Sequence, residues 1–231
     1  MASFRPGMSP DPRFFVWEAN VTLKGDRFGL HRVIEPKGVL TQAAWRIDND
    51  LSRVYDNEIL CDVDVLNVDS ASFTQIKSAA NGNPDAVGKT ILDTVAARGK
   101  QHNPVTGSGG MFIGRVRQVG EALAGRIDLS PGDRIASLVS LSLTPLHIDA
   151  IKAVHMDRDQ VEVVGQAILF ESGIWAKLPD DMSEKLALAA LDVAGAAAQT
   201  ARLVKPGDTV FIIGAGGKSG MLCAYEARKR A

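Results

Sequence analysis

Cysteine is scarce in this chain: two among 231 residues, Cys61 and Cys223, far apart and each inside an apolar segment. That excludes a disulfide framework or a cysteine-built zinc site and leaves each as a small buried hydrophobe. Charge of one sign is lacking as well. Lys and Arg total 26 against 27 Asp and Glu, so no basic excess exists to neutralise phosphates, and no nucleic-acid partner is expected. No apolar run approaches the ~18 residues of a membrane span. The opening MASFRPGMSPDPRFF has no apolar core of the signal-peptide kind. No repeat or low-complexity tract is present. A soluble, cytoplasmic protein without a membrane partner is expected. The remaining composition, 45% hydrophobic and 23% charged with 22 Gly and 10 Pro, is ordinary for a globular chain. The length allows one large domain or two small ones at ~100–200 residues each.

Residues 1–30 are polar, dotted with aromatics and aperiodic, an arm or irregular lead-in. A short strand signal at Arg32–Ile34 precedes turn signals at Pro36 and Gly38. In NEILCDVDVLNV, Ile59, Cys61, Val63 and Val65 alternate with Leu60, Asp62, Asp64 and Leu66, the period of a strand with one buried face. From Ser72 the pattern is helical, broken by NGNP at 81–84 and resumed from Ala86 to Arg98 with Val87, Ile91, Leu92 and Val95 on one stripe. TGSGGMFIG at 106–114 runs into a strand at Arg115–Val119. LSPGDRIA at 129–136 turns into another, with Ile135, Leu138 and Val139 as core candidates. Gln160–Phe170 is a further strand. This first part reads as a strand-rich, barrel-like or sandwich module.

After LPDD at 178–181 the pattern changes. Ser183 is a fair helix N-cap for an Ala-rich run to Val204. KPGD then introduces Thr209–Ile213, a short apolar stretch of the buried parallel-strand type. GAGGKSG follows at 214–220, and Met221–Arg230 reads as a helix. Strand, glycine turn and helix open a doubly wound domain. In such a turn Gly214 permits the sharp exit from the strand, Gly217 lets a pyrophosphate approach the backbone, and Gly220 lets helix and strand pack. The helix start offers free N–H groups to phosphate. The spacing is Gly214-x-x-Gly217-x-x-Gly220 with Gly216 extra, and Lys218 and Ser219 complete the cofactor-binding candidates. The acidic residue that selects NAD over NADP lies ~20 residues past such glycines, so the turn points to NAD or NADP without choosing between them.

The segment LPDDMSEKLALAALDVAGAAAQTARLVKPGDTVFIIGAGGKSG resembles the domain junction of the medium-chain dehydrogenase/reductase superfamily. NEILCDVDVLNVDSASF, GGMFIGRVRQVG and LSPGDRIA resemble its catalytic-domain signatures in the same order. The resemblance covers residues 56–231. It implies an α/β chain: a GroES-like β-barrel catalytic domain over 1–178 with its N-terminal arm, then 179–231 as the junction helix and the truncated start of a Rossmann-type parallel-sheet domain. The chain is thus expected to be a fragment of a protein a domain longer, binding dinucleotide weakly by itself. Zinc-dependent members carry a Cys and a Gly-His-Glu where this sequence has Asp69 and Gly109-Gly110-Met111. One carboxylate cannot supply three or four ligands, so no metal is expected.

Below that level, FGLHRVIEPKGVLTQAAWRIDND (28–50) and SLVSLSLTPLHIDAI (137–151) resemble the L-erythro-3,5-diaminohexanoate dehydrogenases of lysine fermentation. That resemblance implies NAD(P)-dependent oxidative deamination of a small diamino acid to 5-amino-3-oxohexanoate with release of ammonia. For the full-length protein the superfamily implies a homo-oligomer. A zinc-free quinone or enone reductase, or a non-catalytic nucleotide-binding relative, is the alternative. Oxidative deamination needs a neutral amine, so a proton acceptor must lie within hydrogen-bond reach. A substrate with two ammoniums and one carboxylate calls for carboxylates and an Arg or Lys. Asp69 is the first catalytic candidate, its bland alternative being a helix cap. Asp192, alone on an apolar helix, is the second, its alternative an exposed face. Arg32 and Lys37 are candidates for the substrate carboxylate and Glu35 for an amine, against a reading as surface charges. His31, His147 and His155 are possible proton carriers, each with a structural alternative.

Overall fold

The computed structural model describes residues 23–179 and 181–231; most of the predicted N-terminal arm lies outside them. Two short strands, β1 (Val33–Glu35) and β2 (Arg46–Ile47), pair antiparallel. The main sheet contains β3 (Glu58–Val68), β4 (Gly110–Val119), β5 (Arg134–Ser137), β6 (Leu146–His155), β7 (Gln160–Phe170) and β8 (Trp175–Lys177). Its order is β6-β7-β3-β4-β5-β8, antiparallel throughout. Helices α1 (Ser70–Ala79) and α2 (Pro84–Arg98) connect β3 to β4. Beyond the sheet come α3 (Glu184–Leu191), α4 (Ala194–Leu203) and α5 (Lys218–Arg230). The fold is α/β, with a strand-rich part followed by a helical part, as the sequence pattern implies.

β3 is the spine, paired with β4 on one side and β7 on the other along almost its whole length. The predicted alternation holds through Ile59, Cys61 and Val63, all buried. Both ladders then shift register between Val63 and Val65. Asp64 is the extra residue of a bulge, and a bulge reverses which residues face which side. Leu66 and Val68 therefore join the main core, while Val65 turns to the opposite face with Met111, Ile113, Ala136 and Leu188. The main core lies between the sheet and the buried stripe of α1 and α2: Phe73, Ile76, Val87, Ile91 and Val95. Asn83 starts α2, its Oδ1 accepting from the N–H groups of Asp85 and Ala86, with Pro84 at the first helical position.

Three expectations change. β6 carries a strand that its sequence pattern did not announce, because only Leu146 and Ile148 of its residues are buried. The Ala-rich run after Ser183 is two helices rather than one, interrupted at Asp192 and Val193. Residues 209–213 form no ladder: no described strand lies alongside to accept their hydrogen bonds, and Phe211 and Ile213 are 87% and 89% exposed.

Candidate active site

β3 ends at Val68, and the next residue, Asp69, starts α1, with its Oδ1 accepting from Ala71 N–H at 3.0 Å. The cap predicted as the bland reading of Asp69 is present. The same half-buried residue also lines a cavity of about 200 Å³ with Ser108, Gly110, Met111, Leu138, Val139, Ser140, Leu191 and Asp192. Asp192 lies at the break between α3 and α4, where a carboxylate faces the negative end of α3's dipole. A cation offsets this: Lys218 Nζ stands 3.4 Å from Asp192 Oδ2. Asp192 and Lys218 also line a second cavity of about 340 Å³, completed by Asn67, Ser70, Arg158, Asp159, Gln160 and Leu188. Because Asp192 borders both, the two cavities are compartments of one cleft. One wall is the end of β3 and its neighbours; the other is the helical part.

Backbone geometry builds the first wall. Gly110 has φ of +105°, and a Cβ there would stand 2.0 Å from the Asn67 carbonyl oxygen. No side chain fits on this backbone at Gly110 unless the strand shifts. Among the described residues no three His, Cys, Asp or Glu side chains gather as metal ligands. Ser72 Oγ lies 2.6 Å from Thr106 Oγ1 and 2.6 Å from Ser108 Oγ, fixing the loop that carries Ser108. Ser140 bonds Ser142 at 2.7 Å, and Ser142 donates to Gln42 Oε1 at 2.6 Å. Leu188 packs against Met111, Ile113 and Ala136, and Glu184 pairs with Arg134, which hold α3 on the sheet.

The glycine turn leads directly into α5, as the sequence suggested, but the strand expected before it is absent from the described residues. Gly214 takes φ of +77°, and at Gly214, Gly216 and Gly217 alike a Cβ would stand in open space. At Gly220 a Cβ would stand 2.4 Å from Ala215 Cα, so only glycine lets α5 close on the turn. No side chain caps α5. Open backbone beside an uncapped helix start fits a pyrophosphate, and Lys218 and Ser219 occupy its first turn.

The structure thus brings Asp69, Asp192 and Lys218 to one cleft; the other substrate candidates lie apart from it. Arg32 is a correction. It is 1% exposed, its Nε and Nη2 donate to the two oxygens of Glu58 at 2.6 and 2.7 Å, and its terminal nitrogens donate to the carbonyls of Asp50 and Arg53. That fork is fully committed to the fold. Burial alone would raise the Glu58 carboxyl, but the Arg32 and His31 hydrogen bonds, the Arg32 charge and the Tyr55 N–H outweigh it and hold the group below its ordinary value. His31 belongs to this knot, accepting from Asp26 N–H at Nδ1 and meeting Glu58 at Nε2. Glu35 and Lys37 are exposed around the β1 turn and line neither compartment. His147 and His155 pair with Asp149 and Glu162 along the sheet surface.

Sequence reasoning missed Arg158, Gln160 and Asn67. The polar run MDRDQ marks a turn, but its place is defined only once β6 is known to be a strand.

A family model described as the L-erythro-3,5-diaminohexanoate dehydrogenase N-terminal domain matches residues 31–179. An L-erythro-3,5-diaminohexanoate dehydrogenase of Acetoanaerobium sticklandii is 64% identical over 208 residues, covering 90% of this chain and 60% of that protein. The enzyme of the same name from Fusobacterium nucleatum subsp. nucleatum is 61% identical over 207 residues, with the same two shares of 90% and 60%. The chain spans three fifths of the length of these relatives. Among solved structures, the CurK enoyl reductase aligns at a TM-score of 0.42 and 19% identity, over 75% of this chain and 43% of that one.

Proposed function

From the premise that this chain belongs to the L-erythro-3,5-diaminohexanoate dehydrogenase N-terminal domain family, we propose that it supplies the catalytic half of an enzyme that oxidatively deaminates L-erythro-3,5-diaminohexanoate with NAD or NADP. The observation that carries the reading is the meeting of two carboxylates, Asp69 and Asp192, with the first residue of the glycine-turn helix, Lys218, around one cleft. A substrate with two ammonium groups needs such carboxylates beside the place where a coenzyme is held.

Residues 214–220 would hold the pyrophosphate of a nicotinamide coenzyme, which when bound supplies the hydride acceptor. The other steps belong to this chain's own side chains. Asp69 sits at the end of the doubly paired β3, so its carboxylate is fixed by the sheet. One of its oxygens is engaged by Ala71 N–H, leaving the other for an ammonium. There it holds the reacting nitrogen and takes its proton, since only the free amine has the lone pair that assists loss of hydride from the adjoining carbon. Asp192, opposite, exchanges its Lys218 contact for the second ammonium and so orients the substrate. Met111, Leu138, Val139 and Leu191 add apolar groups to this compartment, which stays open to the water that must add to the iminium left by hydride loss, giving the ketone and releasing ammonia. Turnover of a small charged metabolite fits a soluble cytoplasmic enzyme, and the superfamily resemblance favours a homo-oligomer.

The test uses the full-length product of the gene that encodes this chain. Absorbance at the reduced-coenzyme band and ammonia release are followed together with 3,5-diaminohexanoate and either coenzyme. Equal amounts of the two products are expected; reduced coenzyme without ammonia rules the deamination out.

A further inference from the structure

We propose that the larger compartment of the cleft is a carboxylate subsite whose anchor is Arg158. The proposal rests on the deaminase reading, which requires a cation for the substrate's acid group and which Arg32, locked to Glu58, does not supply. Arg158 lies in the turn between β6 and β7 and lines the 340 Å³ cavity with Lys218 and Asp192. It is oriented from behind: its Nε donates to Gln160 Oε1 at 3.1 Å, and Gln160 Nε2 donates to Asn67 Oδ1 at 3.3 Å. Asn67 stands on β3, two residues before Asp69. The turn is tied to the same strand end by Val68 N–H, which donates to the Asp159 carbonyl at 3.0 Å. Guanidinium and candidate base are therefore both braced against the end of β3.

The fork is free to bind. Its terminal nitrogens make no hydrogen bond to a described residue, and the nearest carboxylate is the 77% exposed Asp157, with Oδ2 3.8 Å from Nη1. An exposed pair at that distance yields readily to a ligand. A planar guanidinium with two open N–H directions matches a carboxylate in bidentate fashion.

An anion here has two sources, substrate carboxylate or coenzyme phosphate, and the lining favours the first. Arg158 and Lys218 are balanced by Asp159 and Asp192. A multiply charged phosphate would face two carboxylates, whereas a zwitterion meets an opposite charge at each end. The cavity size lies in the ordinary range for small-molecule sites.

The experiment compares the full-length wild type with Arg158→Gln and Arg158→Lys. Kinetics with 3,5-diaminohexanoate and with coenzyme are measured beside binding of 3-aminobutyrate and of its amide, which keeps the ammonium and lacks the carboxylate, by ligand-observed NMR. Arg158→Gln is expected to raise KM for the diamino acid about 10–100-fold, with kcat and the coenzyme KM within about threefold. It should abolish 3-aminobutyrate binding while leaving the amide unaffected. Arg158→Lys keeps the charge without the fork and should fall between. Unchanged substrate KM and unchanged 3-aminobutyrate binding overturn the subsite, as does a rise confined to the coenzyme KM, which would assign Arg158 to phosphate. A wild type that releases no ammonia yet binds 3-aminobutyrate through Arg158 would refute the deaminase reading and keep the subsite. A wild type that binds no 3-aminobutyrate overturns the subsite itself.

Discussion

Arg32 illustrates how a single side chain misleads when only its neighbours in sequence are visible. An Arg beside His, Glu and Lys reads as surface charge or ligand contact; its partner Glu58 is 26 residues away, and the sheet brings the two together with neither side chain accessible to solvent. Breaking a buried pair leaves the other charge uncompensated, so Glu58→Gln should cost about 3–5 kcal/mol of stability, measured by urea unfolding. His102 provides a second test. Burial first, then the charges of Lys100 and Arg98, push its pKa down to about 4, and its Nδ1 is buried without a partner among the described residues. The unfolded chain binds a proton near the ordinary value of 6.5 that the folded chain refuses, so stability is complete above that pH and declines as pH falls toward 4. His102→Asn should flatten the fall in Tm between those two values. The Arg32 partner is distant in sequence, and the burial that dominates the His102 shift comes from packing rather than from its near neighbours Lys100 and Arg98, so neither was legible there; the Asp69 cap, made with a residue two positions on, was.

At the scale of elements, β3, α1 and α2 were readable because each has a clear local pattern, whether alternation, a buried stripe or a cap, while α5 was read from the glycine turn that precedes it. The reversal of faces within β3 was not. A bulge inserts one residue without altering composition, and only the shifted β3–β4 ladder locates it at Asp64. The break that exposes Asp192 was equally hidden in an Ala-rich run without glycine or proline at that point. Asp69 must serve both its helix and the proposed chemistry, and two substitutions separate the duties. Asn is as good an N-cap as Asp, so Asp69→Asn should keep Tm while lowering kcat by tenfold or more. Asp69→Ala should lose about 1 kcal/mol as well. Thermal melts beside deamination assays decide it; an Asp69→Asn variant with wild-type kcat would reduce Asp69 to a cap.

Across the whole molecule, order is unevenly distributed. β3, β4 and β7 carry continuous ladders over a packed core, while residues 205–217 make few backbone bonds and leave Phe211 and Ile213 in water. Amide exchange by mass spectrometry on the 231-residue chain by itself should show protection through β3, β4 and β7 and rapid exchange over 205–217, because opening free energy follows burial and hydrogen bonding. The cleft inherits this contrast. Asp69 follows the end of the stiff spine and Arg158 is tied to it through Gln160 and Asn67, whereas Asp192 hangs from helices fastened to the sheet by Leu188 and the Glu184–Arg134 pair. Selectivity and tolerance are therefore divided between the two sides. Under the proposed roles, spacing between acid group and reacting amine is gauged by the unyielding side, like a fixed caliper, while the compliant side accommodates variation at the substrate's far amine. Chain homologues that lengthen that end should be handled better than isomers that shift the reacting nitrogen by one carbon.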